Sequence, residues 1–76
     1  MHLKELLKVI DKDQRVVITK GVTHIFDDRL YNLELSRVDN RIFNYYVHSV
    51  YFSKLYNALF ITINDYECYE WVIFSK

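Results

Sequence analysis

The chain predicts a two-layer α+β domain, a mainly antiparallel sheet with two short helices in the order α-β-β-α-β-β, with a further strand at the end. Three observations predict it. Residues 47–64, VHSVYFSKLYNALFITIN, read as two strands joined by a short turn. Leu3, Leu6, Leu7 and Ile10 recur at the three-and-four spacing of an amphipathic helix. Of 76 residues, 51% are hydrophobic and thirteen are aromatic, which suits a small core filled by large side chains.

Taken in order, the first helix is expected over residues 2–11. Lys4, Lys8 and Lys12 run beside its apolar stripe, four residues apart. They form either a phosphate-contacting ridge or a solvated flank whose stems cover the core edge. So short a helix must be held by packing. Residues 15–20, RVVITK, read as a strand, with Val16 and Ile18 opposite Val17 and Thr19. Gly21, the only glycine, marks a turn, because glycine reaches positive φ at little cost. A second strand begins over 22–26, is interrupted by a bend or bulge at Asp27, Asp28 and Arg29, and resumes over 30–35.

Ser36 followed by Asp39 resembles a capping box, and Val38, Ile42 and Tyr45 or Tyr46 then repeat at helical spacing. This predicts a short helix over 37–45, with Arg37 and Arg41 on another side. In the central hairpin, Leu59, Ile61 and Ile63 alternate with Phe60, Thr62 and Asn64, while Val50 and Phe52 share a face of the first arm. Residues 53–57 form the loop. A tight turn is expected at Asn64–Asp65. The last element, 66–74, fits a strand, with a helix as the alternative.

One domain accounts for the whole length. No internal repeat or low-complexity segment divides it. No apolar run is long enough to span a membrane. The opening MHLKELLKVIDKD scatters charge through its apolar residues, unlike a secretory signal. Cys68 is the only cysteine, so no internal disulfide forms, and a reducing cytoplasm is the expected compartment. Ten basic and ten acidic side chains cancel, which argues against both a polyanion binder and an acidic DNA mimic. Near-zero net charge gives little self-repulsion and favours self-association.

The search for chemistry ends in exclusions. His2, His24 and His48 lie far apart, and Cys68 has no local partner, so a zinc site is not expected. A lone cysteine in a tyrosine-rich segment is packing before it is a nucleophile. Asp27 and Asp28 are adjacent on an extended segment and point apart. One glycine cannot build a phosphate cradle. No cofactor and no enzymatic activity are expected.

Aromatic residues carry the remaining signal. Eleven of the thirteen fall between Phe43 and Phe74, and six of these are tyrosines. If two short helices cover one sheet face, the other displays some of Tyr45, Tyr46, Tyr51, Tyr56, Tyr66, Tyr69 and Trp71. Such rings bring large contact area at low entropic cost; the plainer account is that they complete the core. Beyond Ile42 the only cations are Lys54 and Lys76, against Asp65, Glu67 and Glu70, so the aromatic region poorly fits a stacking surface for nucleic acid.

The segments MHLKELLKVIDKDQRVVI and VHSVYFSKLYNALFITIND resemble small proteins carried by phages and prophages of low-GC Gram-positive bacteria. The opening is similar to that of some anti-CRISPR proteins that inhibit a CRISPR nuclease. Those inhibitors are strongly acidic and imitate DNA, whereas this chain is neutral, so no functional residue carries over. Codon content agrees: the chain is rich in Ile, Tyr, Asn, Lys and Phe, holds one Ala and no Pro, and thus suggests an A+T-rich genome. The resemblance implies a small non-enzymatic phage protein that blocks or redirects a host or defence protein.

Three functional expectations follow. The first is a protein-binding module with Tyr45, Tyr46, Tyr51, Tyr56, Tyr69 and Trp71 as anchors and Arg37 and Arg41 at the rim. The second is a nucleic-acid binder using Lys4, Lys8, Lys12 and Arg15. The third is a homodimer joined through an edge strand or the aromatic face.

Overall fold

The computed structural model describes residues 1–67, with side chains to residue 64. Its elements are the helix α1 (Leu3–Leu7), strands β1 (Arg15–Lys20) and β2 (Thr23–Arg29), 3₁₀ helices η1 (Leu30–Leu35) and η2 (Asn40–Asn44), and strands β3 (Tyr45–Ser53) and β4 (Ala58–Glu67). The domain is α+β, as its patterning predicts. The four-stranded sheet is mixed, two of its three strand pairs being antiparallel. Its order is β2-β1-β4-β3, with antiparallel pairs at both ends and a parallel seam between β1 and β4.

Register explains the core. Across the sheet, Phe26, Ile18, Ile61 and Val50 align in one row, and Asp28, Val16, Leu59 and Phe52 in the next but one. Alternation puts these rows on a common face. There Val16, Ile18, Phe26, Ile61 and Ile63 cluster with Leu3 from α1, Leu30 and Leu33 from η1, and Ile42 from η2. The opposite face carries the rows Asp27–Val17–Phe60–Tyr51 and His24–Thr19–Thr62–Ser49. The Thr19 and Thr62 hydroxyls share a hydrogen bond of 3.2 Å there.

Gly21 turns β1 into β2 with φ of 61°, as expected. β2 then departs from the sequence reading. Asp27, Asp28 and Arg29 are not a bend but the end of the strand, paired with Val17, Val16 and Arg15. The irregularity sits earlier, where Ile25 is the extra residue between the pairs Ile18–Phe26 and Thr19–His24. Charged residues suit this position because β2 is an edge strand, and Arg15 Nε donates to Asp27 Oδ1 at 2.9 Å.

The predicted strand over 30–35 is instead the 3₁₀ helix η1. Leu30 and Leu33 are its buried residues, and a three-residue period places them on one side of a 3₁₀ turn. Two backbone bonds pin its start: Leu30 N–H donates to Gln14 O at 2.9 Å and Tyr31 N–H to Lys12 O at 3.0 Å. Ser36 closes η1, its hydroxyl donating to Leu33 O at 2.7 Å, rather than capping a following helix. The predicted helix over 37–45 shrinks to η2, which Asp39 caps by accepting from Arg41 N–H at 2.9 Å. Tyr45 already belongs to β3.

The first helix is also shorter than 2–11. Beyond Leu7 the chain tightens, with Val9 N–H donating to Leu6 O and Ile10 N–H to Leu7 O. Its N-terminus is tied back by His2 N–H donating to Glu5 Oε1 at 2.8 Å. This bond holds the Glu5 carboxyl below its ordinary range, because it favours the charged form. Residues 1 and 2 also lie along β3: His2 bridges Tyr46, and Val47 N–H donates to Met1 O at 2.9 Å. No turn interrupts β4 at Asn64–Asp65, since the strand runs on to Glu67. The rest of the predicted 66–74 strand lies outside the described residues.

Candidate functional site

At the far end of the β3–β4 hairpin the helical segments leave Val50 and Phe52 exposed. The hairpin turn reverses at Asn57, whose φ of 51° is in the left-handed region that Asn tolerates better than most residues. Tyr56 N–H donates to Ser53 Oγ at 3.3 Å within the turn. Gln14 Nε2 reaches the carbonyl of Asn57 at 3.4 Å and ties the turn to the body.

The tip is apolar on both faces. Val50, Tyr51, Phe52, Leu55 and Tyr56 are all exposed, from 41% at Val50 to 83% at Leu55. They make up half of the ten exposed large hydrophobic residues among the described residues, within seven positions. Scattered surface apolar residues are ordinary, whereas a contiguous set is not. Phe60 organises the ring side of the tip. Tyr51 stacks on it at 5.1 Å and 12°, and Tyr56 meets it edge-on at 6.1 Å and 61°. The two tyrosine rings are therefore braced against Phe60.

Tyr51 and Tyr56 thus stand together, as anchors would. Tyr45 and Tyr46 do not join them. Both are half-buried at the far end of β3, Tyr45 with Lys20 Nζ 5.4 Å above its ring and Tyr46 edge-on to His2 at 4.5 Å. Arg37 is exposed, and Arg41 forms a 2.7 Å pair with Asp39 two residues away. That pair holds the Asp39 carboxyl down to about 2, through its side-chain hydrogen bonds from Arg41 first and the Arg41 backbone N–H second. Tyr69 and Trp71 lie outside the described residues. Sequence reasoning did not single out Leu55 or the exposure of Val50 and Phe52. The signal for Leu55 was an apolar residue inside a turn.

The lysines of the basic reading form a separate feature. Lys4, Lys8 and Lys12 border a groove of about 400 Å³ whose other walls include Leu7, Leu30, Leu33, Phe43 and Glu34. Arg15 is not with them. It pairs with Asp27, which raises its pKa further, and borders a smaller hollow with Asp13, Gln14, Arg29, Tyr56 and Asn57. Among the described residues, no group of three or more His, Cys, Asp or Glu side chains could hold a metal ion. No helix among them is long and apolar enough to cross a membrane.

The fold and site define a small α+β domain with an exposed apolar hairpin. No family model, curated protein or solved structure matches the chain.

Proposed function

We propose that this chain is a small non-enzymatic protein-binding module that grips its partner with the β3–β4 hairpin tip. The supporting observation is the cluster of exposed apolar residues at positions 50–56, with Tyr51 and Tyr56 braced on Phe60. Pre-positioned rings lose little entropy on binding and act as anchors. In this reading the domain works as two layers, with helical segments over one sheet face and the hairpin left for the partner. The resemblance of the opening residues adds the setting: a phage-encoded inhibitor, anti-CRISPR-like, acting on a host or defence protein in the host cytoplasm.

The test is affinity capture from host lysate with immobilised chain, followed by titration of the captured protein. Leu55→Ala, Tyr51→Ala and Tyr56→Ala should each weaken binding by roughly tenfold or more, as anchor truncations costing at least ~1.4 kcal/mol do. Tyr31→Ala is the control, since Tyr31 is 51% exposed but lies in η1. If all four variants bind alike while remaining folded, the hairpin tip is not the recognition surface.

A further inference from the structure

The two edges of the sheet are built differently. β2 ends the sheet with Asp27, Asp28 and Arg29 and carries the extra residue Ile25. Charge and bulges are devices that keep an edge strand from pairing with another chain. β3, Tyr45–Ser53, contains no Asp, Glu, Lys, Arg, Pro or Gly. Its first half is occupied by residues 1 and 2 through the His2–Tyr46 bridge and the Val47–Met1 bond. Among the described residues, none pairs with the outer edge of 49–53. Two of the cross-sheet rows also end differently: at Asp27 and Asp28 on the β2 side but at Tyr51 and Phe52 on the β3 side.

We infer that the free half of β3 pairs with the same strand of a second copy, antiparallel about a two-fold axis at Tyr51. Such an interface sets the axial residue against its own copy and pairs its neighbours crosswise, so an ionised side chain on the axis would meet its like. Residues 49–53, SVYFS, contain none. With Tyr51 on the axis, Val50 faces Phe52 of the second copy, Phe52 faces Val50, and Ser49 faces Ser53. Aromatic–β-branched pairs of this kind stabilise a sheet, and the row Phe26–Ile18–Ile61–Val50 continues into the other protomer. The zero net charge of the chain removes long-range repulsion between copies. The guarded β2 edge then stops association at two, because head-to-tail pairing of β2 with β3 would produce open fibres. This interface shares Tyr51 with the partner contact proposed above but leaves Leu55 and Tyr56 available, so Leu55→Ala, which should spare the dimer, tells failure of one from failure of the other.

Sedimentation velocity of the purified chain over a ~100-fold concentration range should show a monomer–dimer equilibrium. Tyr51→Lys, which sets like charges on the axis, and, independently, the double variant Ser49→Lys/Ser53→Lys, which sets lysine opposite lysine, should each raise the dissociation constant by roughly tenfold or more. Tyr31→Lys should not. Circular dichroism confirms that the variants stay folded. In a Cys68→Ser background, Tyr51→Cys should oxidise to a disulfide-linked dimer, since directly opposed residues have Cβ atoms about 5 Å apart, and Tyr31→Cys should not. A monomer at every concentration overturns the inference. So does a dimer that neither lysine weakens or that the Tyr51→Cys variant fails to cross-link.

Discussion

Replacing Ile61 with alanine tests the placement of the core. Ile61 is fully buried, sits on a central strand and lies between Ile18 of β1 and Val50 of β3. Removing a buried isoleucine to alanine costs about 2–5 kcal/mol, nearer the upper end where the surroundings cannot collapse. Here the neighbours are fixed by ladders on both sides, so about 3–4 kcal/mol is expected. A domain of this length has roughly 4–11 kcal/mol of total stability. The variant therefore retains part of it at most. In urea, with a slope of about 1 kcal/mol per molar for so small a chain, the midpoint should fall by roughly 3 M. Val50→Ala removes fewer atoms from the same row at a site 41% exposed, and should cost below about 1 kcal/mol. If the two variants lose equal stability, or Ile61→Ala loses less than about 1 kcal/mol, the register assigned to the sheet is wrong.

Three further outcomes are expected. Asn57→Gly should leave the melting temperature nearly unchanged, whereas Asn57→Val should cost about 1–2 kcal/mol because a β-branched residue resists the left-handed backbone there. A double-mutant cycle of Tyr51→Ala and Phe60→Ala should give a coupling of about 0.5–1.5 kcal/mol for the stacked pair, and additivity would mean the rings do not brace each other. The Asp39 carboxyl, held at about 2 against an ordinary value near 3.8, should contribute stability that is complete above the ordinary value and lost as pH falls toward 2. NMR titration of Arg41→Ala should return that carboxyl toward its ordinary range.

The strands that read correctly from sequence were those with one dominant signal. β1 is a β-branched run, Val16, Val17 and Ile18, that meets the only glycine, and the alternation of Leu59, Ile61 and Ile63 places the start of β4. The errors occurred where two periods fit the same residues. Residues 30–35 offered Tyr31, Leu33 and Leu35 at every second place, but burial selected Leu30 and Leu33, three apart. Asp27–Arg29 looked like a break because charge inside a strand is costly, and an edge position removes that cost. The parallel seam left no local trace, since it joins segments that are distant along the chain. For the candidate site, Tyr51 and Tyr56 were legible from composition. Tyr45 and Tyr46 were not separable from them, because their burial depends on Lys20 and His2, which only the folded chain brings near.

The parallel seam has a consequence for how the molecule assembles. Each hairpin closes over a few residues, but Thr19 meets Thr62 across 43 positions. During synthesis the first hairpin emerges before β4 is free to pair with it, and it waits with Val16 and Ile18 uncovered. Joining the two halves is then the slow step, set by chain closure rather than by local zipping. A nascent chain halted before β4 would be a ready substrate for chaperones and proteases.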